Sequence, residues 1–268
     1  MIPVQAAIRR CRRDLAIGAA IRALLLGAIF ALTVVGTALN ITSGAMFVGI
    51  GAIWVVWMSL NVRSMRASRL AASSPSLIAA GDFESAEEQI EQAIRSFSLF
   101  RAVKLMALHY LAVLRHAQRR FDEAAAAAQA VLSHRLGAAA SLSVRARLIL
   151  ADALLAMGDL AGAYEAIRVL YSQRLSLTEA VNLAAVQAEY QARIGDWTGL
   201  MSGIARKVEL SELLPTQTSV KLQASLALAA GKLGRTDWCD WLRQRVELLV
   251  DAAELTAERP WLAVLWSA

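Results

Sequence analysis

The stretch Ala79-Ala80-Gly81-Asp82-Phe83 decides the fold, because near copies of it return along the chain. "MGDLAGAYEAIRVL" follows from Met157 and "IGDWTGLMSGIARKV" from Ile194. "QRRFDEAAAAAQAVL" from Gln118 and "KLGRTDWCDWLRQRV" from Lys232 are weaker echoes. With the turn placed at Gly81, Arg119, Gly158, Gly195 and Gly234, the copies lie 38, 39, 37 and 39 residues apart. Self-similarity at such a period predicts stacked helix–turn–helix units, a helical solenoid. Glycine suits the left-handed residue that ends one helix. The aspartate after it can accept backbone N–H bonds and cap the next.

Other positions keep the same phase. Seven residues before the turn stand Ala112, Ala151, Ala188 and Ala227. Five residues after it stand Ala86, Ala124, Ala163, Leu200 and Cys239, mostly small side chains that let two helices of a hairpin cross closely. Nine residues after it stand Ile90, Ala128, Ile167 and Ile204, the expected inner face of the second helix.

At these residues the sequence resembles the tetratricopeptide-repeat family, whose units carry a small residue in the first helix and a Gly-Asp-aromatic turn. The resemblance covers about residues 75–250 as five degenerate units. The period exceeds the family's usual 34 residues, and the proline that often closes a unit is mostly missing. The expected helix pairs are 75–80 with 83–96, 98–117 with 121–133, 140–156 with 160–173, 177–193 with 197–208, and 216–232 with 236–254. The resemblance implies that first helices line a concave groove in which a protein or peptide partner docks. Groove positions then fall to His109, Val113, His116, Arg145, Asp152, Asn182, Glu189 and Lys221. The carboxylate clamp of the chaperone-tail-binding subset is not supported, since His109, Leu148, Ala185 and Ala224 stand where it would begin.

The N-terminal quarter has a different character. Hydrophobic residues make up 57% of the chain and the mean hydropathy is positive, too apolar for an ordinary soluble domain. Ala23–Leu39 and Gly44–Val62 run 17 and 19 residues without a charge. At about 1.5 Å per residue each is close to the thickness of a bilayer's hydrocarbon core. Only Asn40-Ile41-Thr42-Ser43 separates them, as a tight polar turn would. Arg22 edges the first span, and Trp54 and Trp57 lie toward the far end of the second. Small residues at Ala23, Gly27 and Ala31, and at Ala45 and Gly49, suit close helix packing. Cleavage of the first span as a signal peptide is disfavoured, because the apolar run is long and a second follows at once.

Residues 1–70 carry eight arginines and one aspartate, whereas the rest of the chain is nearly neutral. Nucleic-acid binding, which needs a basic face on the folded domain, is not expected. Arg9, Arg10, Arg12 and Arg13 precede the hairpin and Arg63, Arg66 and Arg69 follow it. The positive-inside rule then puts both termini and the solenoid in the cytoplasm, at a bacterial inner or plasma membrane. Val4, Ile8, Cys11 and Leu15 share one helical face, which suits either an interfacial helix touching anionic lipid or a charge cluster that only fixes orientation.

The expected class is all-α, an N-terminal transmembrane hairpin followed by a tetratricopeptide-like solenoid. The expected layout is a basic amphipathic segment over 1–22, two spans within 23–62, a juxtamembrane helix or linker over 63–74, the solenoid over 75–254 and a Trp-containing cap over 255–268. Ser73-Ser74-Pro75 should break the chain before the first unit. Trp238, Trp241, Trp261 and Trp266 suit a cap on the last unit or an exposed patch for a partner. Phosphate loops, Cys/His clusters and nucleophile elbows are missing from the sequence, and Cys11 and Cys239 read as reduced thiols. No enzyme activity, cofactor or metal is expected. The function implied is a membrane-anchored scaffold or adaptor. The alternative is an assembly factor or structural subunit whose hairpin packs on partner helices.

Overall fold

The structure, a computed structural model, describes residues 3–38, 43–134 and 140–267. Every regular element among them is helical, and they fall into two compact units. The first unit is Met1–Gln118 with Ser133–Ala139, and the second is Arg119–Leu132 with Ala140–Ala268.

In the first unit, α1 (Val4–Ala38) and α2 (Ser43–Ala79) are 35 and 37 residues long. Both are long and apolar enough to cross a membrane. At 1.5 Å per residue each reaches about 50–55 Å, well beyond a hydrocarbon core of about 30 Å. Leu24, Leu26, Phe30, Phe47, Val48, Trp54 and Val55 are all exposed on them, a surface that water does not favour. Gly49 lies against Leu32, where an added Cβ would come within 3.2 Å, so the two helices approach closely there. Gly27 faces open space instead. The side chain of Ala45 and most of the predicted polar turn, Asn40 to Thr42, lie outside the described residues.

The remaining turns of both helices pack on α3 (Phe83–Arg95) and α4 (Arg101–Ala117). On α1 the stripe Val4, Ala7, Ile8, Cys11, Asp14 is buried. This apolar face of α1 thus meets protein, while Arg9, Arg12 and Arg13 stay exposed. Lys104 on α4 is 1% exposed and its Nζ bonds Asp14 Oδ2 at 2.7 Å. The same ammonium donates to the carbonyls of Ile94 (2.7 Å) and Ser96, which close α3. Arg115 is likewise fully buried and bonds Glu87 at 2.9 Å, tying α4 to α3.

On α2, Ser64, Ala67, Ala71 and Ser74 are buried at helical spacing, and the Ser64 hydroxyl accepts the Leu99 N–H at 3.0 Å. The predicted break at Ser73-Ser74-Pro75 does not occur, and α2 runs through Pro75 to Ala79. Proline removes one helical hydrogen bond. Nearby, the hydroxyls of Ser73 and Ser74 donate to the Leu70 carbonyl at 3.0 and 3.2 Å. Packing of Ala71 and Ser74 then holds the helix in place against its propensity to end.

The second unit comprises α5 (Phe121–Leu132), α6 (Ala140–Met157), α7 (Leu160–Leu170), α8 (Leu177–Ile194), α9 (Trp197–Met201), α10 (Ile204–Ser211), α11 (Thr216–Lys232), α12 (Thr236–Leu249), α13 (Ala252–Glu258) and a 3₁₀ turn, Pro260–Leu265. Helix α5 packs on α6, α6 on α7 and α8, α8 on α11, and α11 on α12.

All five predicted turn positions have positive φ: Gly81 79°, Arg119 61°, Gly158 84°, Gly195 77° and Gly234 71°. At the four glycines the residue after the turn donates its N–H to the carbonyl five residues back, Asp82 to Leu77, Asp159 to Leu154, Asp196 to Gln191 and Arg235 to Ala230. Asp82, Asp159 and Asp196 each cap the following helix through the N–H three residues on, at 2.9–3.1 Å. The in-phase residues Ala86, Ala112, Ala124, Ala151, Ala163, Ala188, Leu200 and Ala227 are all buried.

The helix expected over 197–208 is broken at Ser202-Gly203, where Gly203 has φ 66°. Lys207 reaches back across the break to the carbonyls of Gly199 (3.0 Å) and Leu200 (2.7 Å), closing α9. The second-unit core runs from Val181 and Leu200 through Leu222, Leu226 and Leu242 to Leu255, Leu262 and Leu265.

Candidate partner-binding face

Helices α6, α8 and α11 present one face to a single segment of the chain. Asp152 on α6 and Glu189 on α8 each lie six residues before a turn glycine, and Lys221 on α11 lies thirteen before one. Because α6 packs on α8 and α8 on α11, these three residues become spatial neighbours.

The segment they meet is residues 252–265 of the same chain. After α12, the Val250-Asp251 link turns the backbone into α13 and the 3₁₀ turn. Arg259, 1% exposed, lies between them. Its Nε donates to Glu189 Oε1 at 2.8 Å, and one terminal nitrogen donates to Asp152 Oδ1 at 2.8 Å. The other terminal nitrogen is 3.2 Å from Glu258 Oε1. The guanidinium also sits over the Phe121 ring, 5.3 Å from its centroid. Lys221 Nζ bonds Glu258 Oε1 at 2.6 Å and lies 3.9 Å from Asp152 Oδ2. Arg119 pairs with Glu254 at 2.8 Å and lies 3.8 Å from Glu258. Two residues after Arg259, the Trp261 ring faces Arg193 at 5.7 Å.

Burial and charge act against each other here. Burial pushes the Glu189 carboxyl above its ordinary range, and neighbouring Asp152 adds to the rise, while Arg259 opposes it. Burial also disfavours ionised Glu258, but Lys221 and Arg259 outweigh it and hold that carboxyl below its ordinary range. For Arg259, burial works against the charge, and Asp152, Glu189 and Glu258 more than restore it. The arrangement is a notch built for one guanidinium, with a cation beside it for one carboxylate.

The eight residues expected to line a groove divide between the units. His109, Val113 and His116 belong to the first, and His109 is buried there beside Tyr110 rather than open to a ligand. In the second unit, Asp152, Glu189 and Lys221 come together as described. Arg145 stays exposed, 3.7 Å from Glu179. The amide of Asn182 donates to the Thr178 carbonyl of its own helix at 2.8 Å. Glu189, expected from the resemblance to line a groove, is 3% exposed, because Arg259 and the segment around it cover it.

The tryptophans also part company. Trp238 meets Trp241 edge-on at 5.5 Å, Trp241 is 41% exposed beneath Arg245, and the Trp266 indole N–H bonds Glu247 at 2.8 Å. The C-terminal cap thus does more than cover the last hairpin, since its Arg259 reaches Asp152 on α6 and Glu189 on α8, 107 and 70 residues back along the chain. Sequence reasoning missed Glu258 and Arg259. Their only signal was a charged pair before a proline and a tryptophan, "ERPW", in a stretch otherwise assigned to the cap. Among the described residues no cluster of three or more His, Cys, Asp or Glu side chains is arranged to hold a metal. In comparisons with known proteins, the chain matches no family model and no curated protein.

Proposed function

We propose that this protein is a membrane-anchored scaffold that docks a protein or peptide segment on the face shared by α6, α8 and α11. The helical hairpins are read as tetratricopeptide-like units, supported by the left-handed turn that recurs every 37–39 residues. The observation that carries the docking role is Arg259 itself, one arginine held by carboxylates from two successive hairpins. A face that reads a segment side chain by side chain has the chemistry of a peptide receptor. Helices α1 and α2 are the anchor, and tethering raises the effective concentration of a partner at the bilayer. The arginines flanking the hairpin favour a cytoplasmic solenoid, and exposed Arg9, Arg12 and Arg13 suit contact with anionic lipid.

Site-specific photocrosslinkers in native membranes test this reading. Positions 145 and 182, on the docking face, should yield a crosslinked partner, whereas the exposed positions 165 and 168 on α7 should not. Equal crosslinking from both sets, or from neither, would reject the face. Replacing α1 and α2 by an unrelated hairpin should preserve the partner crosslink, and its loss would favour a subunit whose hairpin packs on partner helices.

A further inference from the structure

Resting on the scaffold reading, we propose that residues 252–265 are an internal ligand of this face, and that its external partner carries the same order of side chains. That order is an acid, an arginine, any residue and then an aromatic. Each element has its own receptor group. Glu258 meets Lys221, Arg259 meets Asp152 and Glu189 over the Phe121 ring, and Trp261 meets Arg193. Leu255, Leu262 and Leu265 supply the apolar anchors.

The composition of the contact is that of an interface. Apolar anchors provide affinity and a desolvated charge set fixes register. A segment serving only as core would gain as much from apolar side chains, because a buried ion pair adds little over a well-packed apolar isostere. The placement of the segment agrees. It is two short helices of seven and six residues, joined to α12 through the extended Val250 and Asp251. It reaches back to helices that precede it by 70 and 107 residues, bridging the hairpins rather than extending them. A partner segment with the same order competes for the notch, so the chain holds its own docking face closed until one arrives.

The experiment uses the full chain in nanodiscs with a specific protease site placed between Val250 and Asp251. After cutting, segment 251–268 is held by non-covalent contacts alone. A fluorescent synthetic peptide of that sequence is added in excess and its uptake followed by polarisation. The expected result is uptake by the cut protein, none by the uncut protein, and binding at least tenfold weaker for the Arg259→Gln peptide. Uptake of the wild-type peptide should fall by a similar factor in cut Glu189→Gln protein that retains its helical circular dichroism. A cut protein that unfolds, that stays folded without exchanging the segment, or that takes up both peptides equally overturns the proposal. Partner crosslinks at positions 145 and 182 that persist in the absence of exchange would sink the internal ligand alone. Exchange without any crosslink would instead sink the scaffold reading.

Discussion

Arg259 donates its Nε–H to Glu189 Oε1 at 2.8 Å across 70 residues of sequence, with both groups almost fully removed from water. Removing one member of such a pair strands the other. Arg259→Met or Glu189→Leu alone should therefore destabilise the second unit by about 3–5 kcal/mol, whereas the two together should recover much of the loss. Thermal melts of the four proteins of this cycle measure the coupling directly. A negligible coupling would mean that the pair does not hold the segment.

The turns make a second prediction. Gly195 has φ 77°, a region in which a branched side chain is strained. Gly195→Val should lower stability by about 1–3 kcal/mol. Gly27 is helical and would place its Cβ in open space, so Gly27→Ala should leave the melting curve unchanged. Equal effects at the two sites would remove the turn from the account of the fold.

Lys104 gives a third. It joins Asp14 to the carbonyls that end α3, and so locks the N-terminal turns of α1 onto the rest of the first unit. Lys104→Ala should destabilise that unit by about 3–5 kcal/mol, as for other buried charges left alone. Hydrogen exchange should rise first in residues 4–18, where α1 leans on α3 and α4. Protection that stays constant there would show that α1 is held by the hairpin alone.

Acidity should loosen the C-terminal segment through Glu258. Its folded-state pKa lies below the ordinary 4.5, because Lys221 and Arg259 outweigh its burial. The unfolded chain therefore binds the proton more readily, and the stabilisation is present above about pH 4.5 and lost as the pH falls. Glu189 has the opposite sign, since burial raises its pKa and ionising it on the way up from acid opposes folding. Release of residues 252–265, followed by Trp261 fluorescence, should thus begin below about pH 4.5 in the wild type and be blunted in Glu258→Gln. Identical acid transitions in the two proteins would exclude Glu258 as the titrating group.

What the sequence determined by itself is local. The recurrence of Gly-Asp, the alanines in phase with it and two charge-free apolar runs are short-range signals, and they were enough to mark the turns, most helix bounds and the two candidate spans. A left-handed residue and a capping aspartate act within one helical turn, which is why even Arg119, lacking glycine's freedom, could be assigned to the turn by spacing. The continuation of α2 through Pro75 was not legible, because packing of Ala71 and Ser74 against other helices overrode the local preference. The break at Gly203 was missed because the spacing was read as one helix, whereas Lys207 closes α9 from the next. The burial of Val4, Ile8 and Cys11 was visible as an apolar face, but a face does not name what covers it. The candidate site shows the same division. The resemblance put Asp152, Glu189 and Lys221 among eight expected groove residues, whereas their joint partner, Arg259, was decided only by tertiary structure. A long-range ion pair leaves no periodicity, since its geometry depends on where three packed helices and a returning chain end happen to meet.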